Sequence, residues 1–323
     1  MWGAWATLQR QYAGMDCGVS LGLLARVHQA CVPPVASYGC ELWGLRVMPP
    51  ALAKARRKLS LGHVNMLRYI VGLRKSTPHQ IVFLESLGSD LYDSWLLRAV
   101  TFWNNLRELP SHSIIRKIAL DSISQALLGS NNWARSFAQA MVGIDHPFQL
   151  ESGSMDLVDS TTIRRLLSER RSSVFVPTDA NLDPRTCPSQ GVLLCTYARW
   201  FQRPYGALAR VPPLHLSLPP KMLRLFIRFR SGCSGLPIDT GRHARPIPTP
   251  RQQRYCLKCA PQTVCDDYHL IFECPALAPL RTQFSSLFTP ATRCMLGFMW
   301  QKDTIAVATF VAQALEFMGV ATA

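Results

Sequence analysis

The stretch from Ser89 to Pro110 reads SDLYDSWLLRAVTFWNNLRELP, and the spacing of its apolar residues decides the fold class. Leu91, Trp95, Ala99, Phe102 and Leu106 recur at three- and four-residue steps, the pattern that lines one face of an α-helix. Ser89 is placed to cap the first turn. Pro110 ends the run, because proline has no backbone N–H to donate and disfavours helix in the residue before it. At this spacing Trp95, Phe102 and Trp103 read as core residues rather than as a platform for stacking bases.

The same period extends outward. Upstream, Leu52, Ala55, Leu59, His63, Met66, Leu67, Ile70 and Leu73 form a stripe, with Lys54, Arg56, Arg57, Lys58 and Arg68 mostly off it. Gly62 is a point where that helix can divide, and His63 reads as a core or boundary histidine. Thr77-Pro78-His79-Gln80 offers an N-cap, a proline at the first helical position and a capping-box glutamine. That helix should stop near Gly88. Downstream, helical patterns cover Ile114–Leu128, Trp133–Val142 and Ser160–Arg171. Between Pro177 and Pro250 lie twelve of the chain's 23 prolines, a density that predicts a connector with one short helix around Lys221–Phe229. A final amphipathic helix is expected from about Thr304. The expectation is a mainly α chain. It has a helical region over 1–110, a less specific helical region over 111–176 and a proline-rich basic connector over 177–250. A small metal-stapled module over 251–285 and a helical tail over 286–323 follow.

That module rests on Cys256, Cys259, His269 and Cys274, spaced Cys-x2-Cys-x9-His-x4-Cys. Each is a standard Zn²⁺ ligand, and a tetrahedral Cys3His set closes the metal's coordination, which predicts a structural rather than a catalytic Zn²⁺. The segment has few large apolar residues, so metal binding would supply its folding energy. Cys265 lies between the pairs and could replace His269 as a ligand. The cysteines total eleven, an odd number, and eight lie outside the ligand set, as in a chain of reduced thiols. The first ten residues lack a basic leader followed by an apolar core, so the expected location is intracellular, nuclear or cytoplasmic, and not secreted.

With 323 residues, 48% hydrophobic and 17% charged, the chain is long enough for two modest cores and is not of disordered composition. Its net charge of +15 points to a polyanionic partner, RNA or DNA, rather than to a membrane or a small-molecule substrate. No apolar run is long enough to span a bilayer; Ile305–Val320 is too short and carries Gln313 and Glu316. The charge is concentrated. Lys221–Lys258 holds nine basic residues and one acid, a net +8, running directly into the metal motif. Arg228, Arg230, Arg242, Arg245 and Arg254 are the candidate phosphate contacts there, and Lys54, Arg56, Arg57 and Lys58 form a second cluster. No Walker loop, dinucleotide fingerprint, His-Glu-x2-His motif or nucleophile elbow occurs. Asp266-Asp267 reads as a solvated turn, so the chain by itself does not read as an enzyme.

Several short stretches resemble one family in order and spacing. Tyr38-Gly39-Cys40-Glu41-Leu42-Trp43-Gly44 is similar to the segment that follows the polymerase palm in non-LTR (LINE-type) retrotransposon reverse transcriptases. Leu67–Arg74 with Ser76-Thr77-Pro78, and Phe83–Gly88 leading to Trp95 and Arg98, resemble the helices that come next. Phe229–Gly232, Leu236–Arg242, Arg254–Cys256, His269–Pro275 and Leu280-Arg281 resemble the approach to the family's Cys-Cys-His-Cys zinc knuckle and the knuckle itself. The resemblance implies a thumb-like helical region, a connector and a zinc knuckle that grip template RNA or target DNA. It implies no chemistry in this stretch, since the family's palm with its paired catalytic aspartates is not among the resembling segments. The nine-residue gap before His269 is slightly longer than the family's commonest form. Two other readings stay open on sequence: a zinc-containing protein-interaction module, and a non-functional relic of a mobile element.

Overall fold

The computed structural model describes residues 3, 6–7, 20–47, 53–86, 88–173, 196–201, 213–259 and 262–320. Its helices are α1 (Leu21–Ala36), α2 (Cys40–Trp43), α3 (Ala53–Val71), α4 (His79–Ser86), α5 (Leu91–Glu108), α6 (Ile114–Leu127), α7 (Trp133–Val142), α8 (Ser160–Ser173), α9 (Pro220–Arg230), α10 (Pro237–Thr240), α11 (Ala278–Gln283), α12 (Met295–Met299) and α13 (Thr304–Phe317). Among the described residues, extended pairing is limited to one antiparallel bridge between Tyr255 and Val264. The chain is mainly α. No helix among these residues is long and apolar enough to cross a membrane.

The chain divides into two compact units that interleave along the sequence. The first draws on Met1–Arg10, Val27–Met66 and Ser89–Phe175, the second on Gln11–Arg26, Leu67–Gly88 and Val176–Ala323. Position 110 therefore falls inside the first unit rather than between units. The reason is packing: α5 shares one core with the helices after it.

In the first unit, Trp103 of α5 stacks on Phe137 of α7, with centroids 4.7 Å apart and planes 6° from parallel. Ile123, Met141 and Ile163 close the same cluster, all fully buried. Trp95 and Trp103 are core residues, as their spacing predicts; Phe102 is half-buried and meets Trp133 edge-on at 5.5 Å. Buried indoles need partners for their N–H groups. Trp95 donates to Ser37 Oγ at 2.9 Å, Trp43 to the Tyr38 carbonyl at 2.9 Å and Trp133 to the Glu41 carbonyl at 2.7 Å. Ser37, Tyr38 and Glu41 thus anchor three tryptophans. Gly39, with φ of 65°, makes the left-handed turn that starts α2.

Three sequence expectations shift here. Helix α3 runs unbroken through Gly62, since Val64, Met66 and Leu67 beyond it are fully buried and packing outweighs the glycine's cost of about 1 kcal/mol. Asp90, not Ser89, caps α5, its Oδ1 accepting from Tyr92 N at 3.1 Å. Helix α4 starts at His79, while the Thr77 hydroxyl lies buried 2.9 Å from Cys233 Sγ.

In the second unit the short helix expected around Lys221–Phe229 is α9. Leu223, Leu225, Phe226, Ile227 and Phe229 of α9 are buried, and α9 packs on α13. Helix α13 was expected to be amphipathic. Val307, Ala308, Phe310, Val311, Ala312, Ala314 and Leu315 are buried, a wide apolar face, while Ile305 and Glu316 are exposed and Thr309 and Gln313 half-buried on the outer side.

Candidate metal centre

The metal motif is assembled from local turns. Cys256 N donates to Thr263 O at 2.9 Å and Cys265 N to Arg254 O at 2.8 Å, either side of the Tyr255–Val264 bridge. This narrow ladder presents Cys256 and Cys259 from the turn it closes. The chain then re-enters helix at Asp266, whose Oδ1 accepts from His269 N at 2.9 Å and caps that turn. Residues His269–Glu273 form a π-turn closed by Cys274 N donating to His269 O at 2.8 Å. On an α-helix, residues five apart would diverge by about 140°. The wider turn and the extended φ/ψ of Cys274 bring the two side chains together instead.

The outcome is a quartet. The ligand atoms of Cys256, Cys259, His269 and Cys274 all lie within 4.8 Å of one another, close enough to hold a metal ion. Cys256 Sγ is 3.9 Å from Cys274 Sγ, and Cys259 Sγ is 3.5 Å from His269 Nε2. Cys256, His269 and Cys274 are buried and Cys259 half-buried, which leaves little room for a substrate beside an ion. Cys265, the alternative to His269, is buried nearby but is not a member of the group. Burial, then the adjacent Cys256, pushes the Cys259 thiol up to about 12 and raises Cys274 as well. A bound divalent cation is what would make these thiols anionic together at neutral pH.

Neighbouring groups hold the quartet in place. His269 turns Nε2 toward Cys259 and Nδ1 toward the Glu273 carboxylate, 3.8 Å away, an arrangement that orients a ligating imidazole. Arg281 donates to the Cys274 carbonyl at 2.6 Å and to that of Ile271 at 3.4 Å. Sequence reasoning missed the parts played by Glu273 and Arg281; the available signal was their position four and twelve residues after His269, on the same local turns. The solvated-turn reading of Asp266-Asp267 is corrected. Both are buried, Asp266 as a helix cap facing Arg251 at 3.6 Å. Asp267 is held well above the ordinary carboxylate range by burial and then by the charges of Asp239 and Asp266.

The structure sorts the basic candidates. Arg230 is 3% exposed, its guanidinium paired with Glu85 and bonded to the Phe201 carbonyl, so it is withdrawn from any phosphate-facing surface. Arg245 is exposed. Arg242 and Arg254 are half-buried, Arg242 bonding Asp239 at 2.8 Å and Arg254 the Ile238 carbonyl at 2.8 Å. Burial, then the nearby charges of Arg242 and Arg251, hold Arg254 below its ordinary value, so three cations are gathered here. Arg228 donates to the Gly72 carbonyl at 2.6 Å and feels Arg224 and Arg74. Arg224 and Arg251 belong to the basic run already counted in the sequence, though not to the candidate phosphate contacts, and the fold adds Arg74 to them. The backbone at Lys54, Arg56, Arg57 and Lys58 is helical, and their side chains lie outside the described residues.

Comparison of the chain with protein-family models, with curated proteins and with solved structures yields no match.

Proposed function

We propose that this chain is a nucleic-acid-binding part of a non-LTR retrotransposon reverse transcriptase, gripping template RNA or target DNA without itself carrying the polymerase active site. The metal quartet abutting a cluster of arginines carries this reading. The order of the Tyr38–Gly44, Leu67–Gly88 and Phe229–Cys274 stretches supports the family. Zn²⁺ is the ion we assign to the quartet. A tetrahedral ion with Zn–S near 2.3 Å and Zn–N near 2.05 Å has an S–S edge of about 3.8 Å and an S–N edge of about 3.6 Å. The distances of 3.9 and 3.5 Å fit that polyhedron. With four protein ligands and no open position the ion is structural: it fixes the turns that carry Leu257, Lys258 and Tyr268. Arg242, Arg245, Arg251 and Arg254 then neutralise phosphates, joined by Arg228 with Arg74 and Arg224.

Fluorescence anisotropy with single-stranded RNA, at salt between about 50 and 300 mM, tests the reading. Five or more phosphate contacts among these arginines predict a log–log slope of about −3.5 or steeper. A salt-insensitive interaction, or none, overturns it.

A further inference from the structure

Beside the quartet, and unused by it, lies an open cleft of about 430 Å³. That is the size of a small-ligand site. One wall is the turn that carries the metal ligands: Tyr268 and Phe272 face the cleft, with ring centroids 4.8 Å apart, and Glu273 sits at its edge. Phe288 adds a third ring to the lining, edge-on to Phe272 at 6.3 Å, and Arg293 lines the cleft as well. All three rings are half-buried, so each leaves part of its face open. They are held from behind. Phe298 meets Phe272 at 5.6 Å and Phe288 at 5.3 Å, and Phe310 meets Phe288 at 5.2 Å. Arg281 also lines the cleft, pinned by its two carbonyl bonds. Arg293 is exposed at the rim.

Rigid aromatic faces in a concave space suit a flat ring. A cation at the rim suits an anion attached to that ring, and a carboxylate at the edge accepts from ring amino groups. A nucleotide unit combines these features, and base–aromatic stacking is the usual means of holding a single strand. We infer that this cleft receives one unpaired nucleobase of single-stranded RNA, stacked on Tyr268 with Phe272, tilted 46° to that ring, against its edge, and with the adjoining phosphate at Arg293. This inference rests on the nucleic-acid-binding reading above and adds a base contact to its phosphate contacts. Tyr268 immediately precedes the metal ligand His269, and Phe272 lies between His269 and Cys274, so the ion also shapes the wall on which the base lies.

The test uses the full chain loaded with Zn²⁺ and a single-stranded RNA carrying 2-aminopurine, whose emission falls when it stacks. Binding should quench the emission severalfold. Tyr268→Leu should restore much of it and weaken binding about tenfold, the size expected for one lost stacking contact, while Tyr268→Trp preserves both. Arg293→Glu, at an exposed position that leaves the fold intact, should weaken binding by a similar factor. RNA binding with unchanged emission, and with Tyr268→Leu and Arg293→Glu equal to the unmodified chain, overturns the cleft and leaves the phosphate surface standing. No RNA binding at all overturns both.

Discussion

Glu85 and Arg230, 145 positions apart, meet in the interior of the second unit, Arg230 Nε lying 2.9 and 3.2 Å from the two carboxylate oxygens. Their side chains are 1% and 4% exposed. The Tyr197 hydroxyl donates to the same carboxylate at 2.7 Å, and the Arg230 guanidinium sits over the Trp300 ring at 5.1 Å. Two charges taken out of water are tolerable only when each has its full set of partners. Glu85 joins the early helices to α9 in this way.

Removing one member should therefore cost far more than removing both. Glu85→Ala leaves a buried, unpaired guanidinium and should destabilise the chain by about 3–5 kcal/mol. Glu85→Leu combined with Arg230→Met should recover most of that loss. Urea unfolding of the single and double variants gives the comparison; a double variant as unstable as the single would show that the pair is not the source.

Metal content should separate the clustered cysteines. Cys256→Ser should reduce bound zinc well below one equivalent and expose the 251–285 segment to limited proteolysis, whereas Cys265→Ser should keep the full equivalent. Elemental analysis of the purified variants decides. Zinc retained by Cys256→Ser and lost by Cys265→Ser would reassign the ligand set.

Acid should weaken the first unit through His28. This imidazole is buried, 5.3 Å from the ring of His63, and burial followed by the charge of His63 lowers it from 6.5 to about 4. The folded state thus prefers neutral His28. Its contribution is complete above pH 6.5 and is lost as the pH falls from 6.5 toward 4, amounting to about 2–3 kcal/mol across that window. Unfolding midpoints at pH 7 and pH 4.5 should differ accordingly, and the difference should shrink in His28→Gln.

Gly72 should resist substitution. Its φ is 73°, and a Cβ there would lie 3.1 Å from side-chain atoms of Arg224. The arginine can shift, but the backbone cannot relax without breaking the turn after α3, where Leu73 N donates to Arg68 O at 2.8 Å. Gly72→Ala should cost about 1–3 kcal/mol by chemical denaturation.

Local pattern made much of this legible in the sequence. The stripe through Leu91 and Leu106 places α5 to within two residues, and the Cys-x2-Cys and His-x4-Cys spacings select the four residues that converge. What the sequence hides is partnership over distance. Arg230 looks like any arginine in a basic run, because nothing near it announces Glu85. Asp266 looks solvated until its role as a helix cap is seen. The additional cysteine of this segment, Cys265, is also ambiguous in one dimension. Only the ladder beside Arg254 fixes which way Cys265 points relative to the other ligands.

The interleaving of the two units imposes an order on biosynthesis. When residue 175 has been joined, every segment of the first unit exists, but Leu67–Gly88 still lacks the later stretch against which it packs. Glu85 must wait for 145 further residues before Arg230 is made, about 7–30 s at ordinary rates of translation. In that interval the nascent chain carries a mainly apolar helix with its one carboxylate awaiting a partner, a ready client for a chaperone, while the cysteine knuckle needs only its own few neighbours and can close as soon as it leaves the ribosome.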